Sequence, residues 1–177
     1  MIERIIVLGI LALCIIYFIR ISNKIVKLDV KVQEAYADIE VSLIKRYDIL
    51  TQSLDIAQKY MGHEEQIMTQ LIKVRNGNSL GQTEKILENQ RDVVKKIYAI
   101  GEAYPQLMSN ELFKTLQYQI SDTNEHLSAS KRLYNANVSR YNQAISVFPA
   151  SIVAFIAGKR SIQFLKDESK AIKGGLL

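Results

Sequence analysis

Histidine, cysteine and paired carboxylates are the residue types from which metal sites and nucleophilic centres are built, and this 177-residue chain has few of the first two. Its histidines are His63 and His126, and its one cysteine is Cys14. His63 stands in GHEEQ, where a zinc-protease helix needs a second histidine at position 67 and finds Ile67 instead. A di-iron carboxylate bundle draws on Glu-x-x-His pairs, and neither histidine has a glutamate three residues before it. GNSLG, ending at Gly81, lacks the lysine and the spacing of a phosphate loop. A lone cysteine makes neither an intramolecular disulfide nor a thiolate cluster. The expectation is therefore no catalytic residue, no metal and no cofactor.

The most patterned polar stretch is LYNANVSRYNQAISVFP, in which Tyr134 and Asn135 recur seven residues later as Tyr141 and Asn142. Residues seven apart share one face of a helix, so the tyrosines stack in one column and the asparagines in another. A half-buried asparagine costs stability but fixes helix pairing and register. Glu34, Arg46 and Asp48 on the first long helix are the expected partners, since guanidinium and carboxylate complement amide and hydroxyl. These seven residues are expected to form a structural polar ladder between two helices. The competing reading is an exposed Tyr-Asn face for a partner.

Long helices must carry that ladder. Two prolines, eight glycines and no tryptophan disfavour a loop-rich fold. Ile25, Leu28, Val32, Ala35, Ile39, Leu43, Tyr47, Leu50, Leu54 and Ala57 step by threes and fours with no breaker before Gly62, and the pattern resumes at Ile67, Leu71 and Val74. NGNSLG is a turn. A second helix follows with Thr83 as N-cap and Ile86, Val93, Ile97 and Ile100 as its stripe, fraying near Gly101 and stopping before Pro105. The third starts at a Ser109 or Asn110 cap and runs from Leu112 to Phe148, ended by Pro149. Its stripe is Leu112, Leu116, Ile120, Thr123, Leu127, Ser130, Tyr134, Val138, Tyr141, Ile145 and Phe148. SIVAFIAGKRSIQF beyond it is a short helix packed on the others, with a membrane-surface or partner-binding segment as the alternative. By a rough count of about 1.5 Å per residue the first helix exceeds 60 Å and the third approaches it, and the second is about half as long. The tail after Pro149, a kink at Gly62 or a second copy must cover the remaining stripe.

At the front, Ile5 to Ile19 is fifteen residues without a charge. With Arg4 and Arg20 reaching to the headgroups, the run approaches the length of a bilayer span. Arg20, Ile21, Ser22 and Asn23 make a poor signal-peptidase site, and Leu13 is too large before Cys14 for lipoprotein processing. An uncleaved anchor is expected. Arg20, Lys24, Lys27 and Lys31 follow it, which places the helical domain in the cytoplasm and offers lipid-headgroup contacts. The net charge of +5 is spread out, with no basic face suited to nucleic acid.

LDVKVQEAYADIEVSLIKRYDIL, YMGHE, EAYPQLMSNELFKTLQYQI and RLYNANVSRYNQAISVFPASIVA together resemble the LemA family of bacterial membrane proteins over nearly everything after the anchor. The resemblance implies an N-terminal transmembrane helix followed by a four-helix bundle, with no established enzymatic activity. It also implies relatives linked to membrane remodelling, organelle formation or envelope stress. The sequence departs from the family pattern at three places. Tyr36 stands where the family has Trp, Thr51 and Gln52 where it has Pro-Asn, and Asn124-Glu125-His126 where it has a Glu-Asn-Arg-like triplet. Losing the proline should straighten the first helix.

The fold expected is thus all-α, a transmembrane helix and then an elongated antiparallel bundle of three long helices plus a short fourth. Residues 1–22 form the anchor, 23–165 the bundle and 166–177 a flexible tail. The expected role is a non-enzymatic scaffold or adaptor at the cell membrane, crossing it once. Its expected partners are the lipid bilayer, other membrane proteins and further copies of itself. The second reading is a regulatory partner of a membrane enzyme such as a protease.

Overall fold

A computed structural model describes residues 2–61, 71 and 79–166. His63, the Gly62 bend, the turn before Ser79 and the tail after Lys166 lie outside the described residues. All regular structure among the described residues is helical: α1 (Ile2–Gln58), α2 (Leu80–Ala103), α3 (Pro105–Met108), α4 (Glu111–Ser146) and α5 (Ala150–Ile156). The chain forms two compact units, one from Met1–Tyr36 with Leu133–Phe164 and one from Ala37–Arg132 with Leu165–Leu177.

α1 is continuous through Thr51 and Gln52, as expected where no proline interrupts the backbone ladder. Its buried positions follow the expected stripe: Ile25, Val32, Ala35, Ile39, Leu43, Leu50, Leu54 and Ala57. The helix tightens at its end, where the amides of Tyr60 and Met61 both donate to the Ala57 carbonyl.

In the second unit, α2 begins at Ser79 rather than Thr83. The Gln82 side chain reaches back to accept from the Ser79 amide at 3.0 Å, half of a capping box. Thr83 is buried, and its hydroxyl donates to the Ser79 carbonyl. α2 also holds its geometry through Gly101. A Cβ there would lie 3.0 Å from the Met108 sulfur and 3.4 Å from the Phe113 ring, so glycine permits close packing instead of fraying the helix.

α4 is capped by Asn110, whose Oδ1 accepts from the amides of Leu112 at 2.9 Å and Phe113 at 3.1 Å. Phe113, not Leu112, enters the core between Ile49, Leu50, Ile97, Leu107 and Leu116. Truncating such a fully buried ring leaves a cavity, so Phe113→Ala should cost about 3–5 kcal/mol in denaturant unfolding of the solubilised chain. α2 adds a polar anchor that the apolar stripe did not reveal. Gln90 is fully buried, and its Nε2 donates to the Leu43 carbonyl at 3.1 Å.

In the first unit, α1 and α4 pack antiparallel. The Asn137 amide donates to the Lys31 carbonyl at 3.0 Å, and the Tyr36 and Tyr134 rings meet at 5.8 Å, tilted by 52°. Tyr36 therefore supplies the aromatic contact expected at that position. α4 stops at Ser146, two residues short of Phe148, which turns outward and is 76% exposed. The chain reverses through Val147–Pro149 into α5, which buries Val153 and Ala154.

α5 ends because Gly158 takes φ +65°. The Lys159 amide then closes on the Ala154 carbonyl at 2.9 Å and the Gly158 amide on Phe155 at 3.1 Å, a glycine-terminated helix end. Residues 159–164 continue without helical structure. In the first unit the tail after Pro149 packs on α4.

Candidate functional site

The polar residues singled out by the sequence converge on that tail. Tyr134 is 2% exposed and its hydroxyl donates to the Gln163 carbonyl at 3.1 Å. Asn142 makes two bonds to one residue, its Nδ2 donating to the Ile162 carbonyl at 2.8 Å and its Oδ1 accepting from the Ile162 amide at 2.9 Å. A side-chain amide thus imitates the pairing of a neighbouring strand and satisfies both backbone groups of a residue outside any helix. Tyr141 is buried beside it, and Asn135 is half-buried on the same face.

The first helix contributes differently from the expected ladder. Glu34 is exposed, off the α1 stripe that buries Val32 and Ala35. Asp48 is exposed and Arg46 buried; both lie in the second unit. Asn142 consequently closes on backbone rather than on Glu34, Arg46 or Asp48. Asn137 does reach α1, and the heptad search passed it over because no partner recurs seven residues from it. Its phase next to Val138 was the available signal.

An ion pair completes the clasp. Lys159 Nζ lies 2.6 Å from Asp29 Oδ2, with both side chains partly buried. The hydrogen bond to Asp29 raises the Lys159 pKa, and burial followed by the nearby Asp29 charge raises that of Tyr141. Burial, reinforced by Tyr36, pushes Tyr134 up from 10.0 to about 12. The native state therefore keeps the Tyr134 proton between pH 10 and 12 while the unfolded chain releases it. Stability present below pH 10 declines through that window, by about 2–3 kcal/mol for a shift of this size. The raised Lys159 and Tyr141 act in the same direction. Unfolding measured from pH 8 to 12 should show this decline, and Tyr134→Phe should remove its largest part.

The remaining candidates for chemistry stay apart. His126 is exposed and sits 3.5 Å from Asp122 one turn earlier, an ordinary surface pair. Cys14 is exposed within the apolar run. Among the described residues, no group of three or more histidine, cysteine or carboxylate side chains is placed to hold a metal ion.

α1 carries an apolar window long enough to cross a membrane, and none of that window is buried by the rest of the chain. Arg20, Lys24, Lys27 and Lys31 follow it, all exposed. Where the apolar run ends, α1 and α4 diverge around a groove of about 530 Å³. Tyr17, Ile21, Lys24 and Leu28 line one wall, and Arg140, Val147, Phe148 and Ala150 are among the residues of the other.

Comparison with known proteins agrees with this architecture. Magnetosome protein MamQ of Magnetospirillum gryphiswaldense is 25% identical over 73 residues, which is 41% of this chain and 27% of that protein. Two magnetosome MamQ proteins of Paramagnetospirillum magneticum, MamQ 1 and MamQ 2, match with the same identity and coverage. The chain thus matches only about a quarter of the length of these relatives. A family model described as LemA family matches residues 35–173, which takes in α2 to α5, the α4 and tail residues of the clasp and most of the second unit. A membrane-associated helical chain of this kind, matched over most of its length, belongs to the LemA family.

Proposed function

We propose that this protein is a non-enzymatic scaffold or adaptor, held in the cell membrane by one pass of α1, that organises the bilayer and proteins within it. The observation that carries the reading is the continuity of α1. One uninterrupted helix supplies an unburied apolar span and then the core positions of both folded units. A joint without a breaker transmits position from lipid to domain, which suits a device acting through its surfaces. Two of the polar side chains that attracted attention, Asn142 and Tyr134, hold the tail, and Asn137 beside them holds α1. The similarity to magnetosome proteins supports work at a membrane, and Arg20, Lys24, Lys27 and Lys31 suit contact with anionic headgroups.

By the positive-inside rule the same four cations favour a cytoplasmic location for the folded units. A Cys14→Ser chain carrying Tyr118→Cys, an exposed position, tests this directly. An impermeant maleimide should label the new thiol only after the cells are broken, and labelling of intact cells would refute the orientation. Function itself is tested by crosslinking in intact cells followed by partner identification. Recovery of several membrane proteins or of the chain with itself supports a scaffold. Recovery of a single membrane enzyme, with altered activity on deletion, would favour the regulatory reading.

A further inference from the structure

The exposed apolar surface of the first unit is not confined to the span. Val147, Phe148, Ile152, Phe155 and Ile156 at the α4–α5 corner are all exposed, with Phe155 at 86% and Ile156 at 67%. Water offers no reason to gather five large apolar side chains in ten residues, and such a patch marks a binding surface.

Register says what that surface meets. Asn137 on α4 is bonded to Lys31 on α1, and the two helices run antiparallel. Ten residues on along α4 and ten back along α1, about 15 Å away, Val147 faces the level of Ile21. The groove confirms the pairing, since Val147 and Phe148 share its lining with Tyr17 and Ile21. Tyr17 and Ile21 are where the apolar run gives way to Lys24 and Lys27, the depth of the headgroups for a helix that spans. The corner therefore reaches the same depth. The groove is also lined by Lys24 and Arg140 and by no carboxylate.

We propose that the α4–α5 corner is a second membrane element, whose exposed side chains enter the leaflet in which the span ends while Lys24 and Arg140 hold the phosphate of an anionic phospholipid. The inference rests on the reading of α1 as a membrane span, and adds to it a wedge in one leaflet. Amphipathic segments of this kind bury their apolar side to the boundary of headgroup and acyl chain, and basic residues beside them favour anionic lipid. Apolar volume inserted into one leaflet favours curvature toward the other.

The sequence contains no tryptophan, so one introduced ring is an unambiguous fluorescent reporter. Phe155→Trp and, as control, Leu133→Trp are made in the full chain and reconstituted into floated vesicles of phosphatidylcholine and phosphatidylglycerol. Leu133 is exposed in the same unit and lies about 21 Å along α4 from Val147, away from the span. Phe155→Trp should emit to the blue and lose most of its intensity to lipids brominated near the headgroup end of their chains. Leu133→Trp should respond to aqueous iodide instead. Bromine placed on the phosphatidylglycerol should quench position 155 more than bromine on the phosphatidylcholine, and Lys24→Ala with Arg140→Ala should bring the two to parity.

Water-like emission at position 155 in vesicle-bound protein overturns the wedge and leaves the span standing. Protection from iodide without quenching by lipid also overturns it, because a second copy or another protein then covers the corner. Equal quenching by the two brominated lipids in the unsubstituted background overturns the phosphate site. Protein that fails to float with the vesicles overturns both the span and this inference.

Discussion

Asn142→Leu should free residues 159–164 from α4 while the helices stay folded. Leucine matches the size of asparagine but offers neither a donor nor an acceptor. The Ile162 amide and carbonyl both lose the partners they have at 2.9 and 2.8 Å. Two partly buried backbone groups left in this way cost about 2–4 kcal/mol, a large share of what a short segment outside any helix has to hold it. Tyr134 and the Lys159–Asp29 pair remain to hold the tail. Lys159 and Arg160 provide the readout, since trypsin cuts after both once the backbone around them opens. Cleavage there and exchange of the Ile162 amide should each accelerate by one to two orders of magnitude, while helical circular dichroism is nearly unchanged. Gln143→Leu, one position on and exposed, should leave both rates as they are. If Asn142→Leu were cut no faster than the parent, the two bonds to Ile162 would not be what holds the tail.

The helices were legible in the sequence because their signal is additive. Every third or fourth residue from Ile25 to Ala57 contributes to one stripe, and one error hardly moves the phase. The ends were less legible, because each turns on one or two residues. Thr83 has the composition of a cap, but the cap is Ser79, four residues earlier, whose amide donates to the Gln82 side chain. Leu112 fits the spacing to Leu116, but so does Phe113 one step shorter, and it is Phe113 that is buried. Gly101 reads as a weak point in a helix, and only the neighbouring Met108 and Phe113 show why a side chain is unwelcome there.

The clasp was half legible. A heptad of Tyr-Asn pairs pointed to a polar feature, and the feature is there on one face of α4. Its partner could not be read because it is backbone: the carbonyls of Ile162 and Gln163 carry no residue-type signal. A search for complementary side chains turned instead to Glu34, Arg46 and Asp48, which helical phase sends in different directions. The tail's course depends on Gly158 ending α5; glycine is a common helix terminator, but its place in the chain does not say where the residues after it pack.

The second large effect concerns the span. Leu11→Lys together with Ile15→Lys places two charges one turn apart near the centre of the fifteen-residue apolar run. Exchanging an aliphatic residue for lysine at that depth costs about 3 kcal/mol by insertion equilibria, so the pair exceeds the few kcal/mol that favour a short span. The full chain should move from the alkali-resistant membrane pellet to the soluble fraction. Its folded units should keep their helical signal and thermal transition, because residues 2–20 are exposed throughout and support no core. The α4–α5 corner does not rescue the pellet. An interfacial segment binds reversibly through a limited apolar area and is stripped by alkaline carbonate, whereas a spanning helix is not. The doubly substituted chain should therefore still associate with anionic vesicles at low salt and be released by carbonate. Retention in the carbonate pellet would mean that α1 is not what anchors the protein, and the continuity between lipid span and folded core would lose its functional meaning.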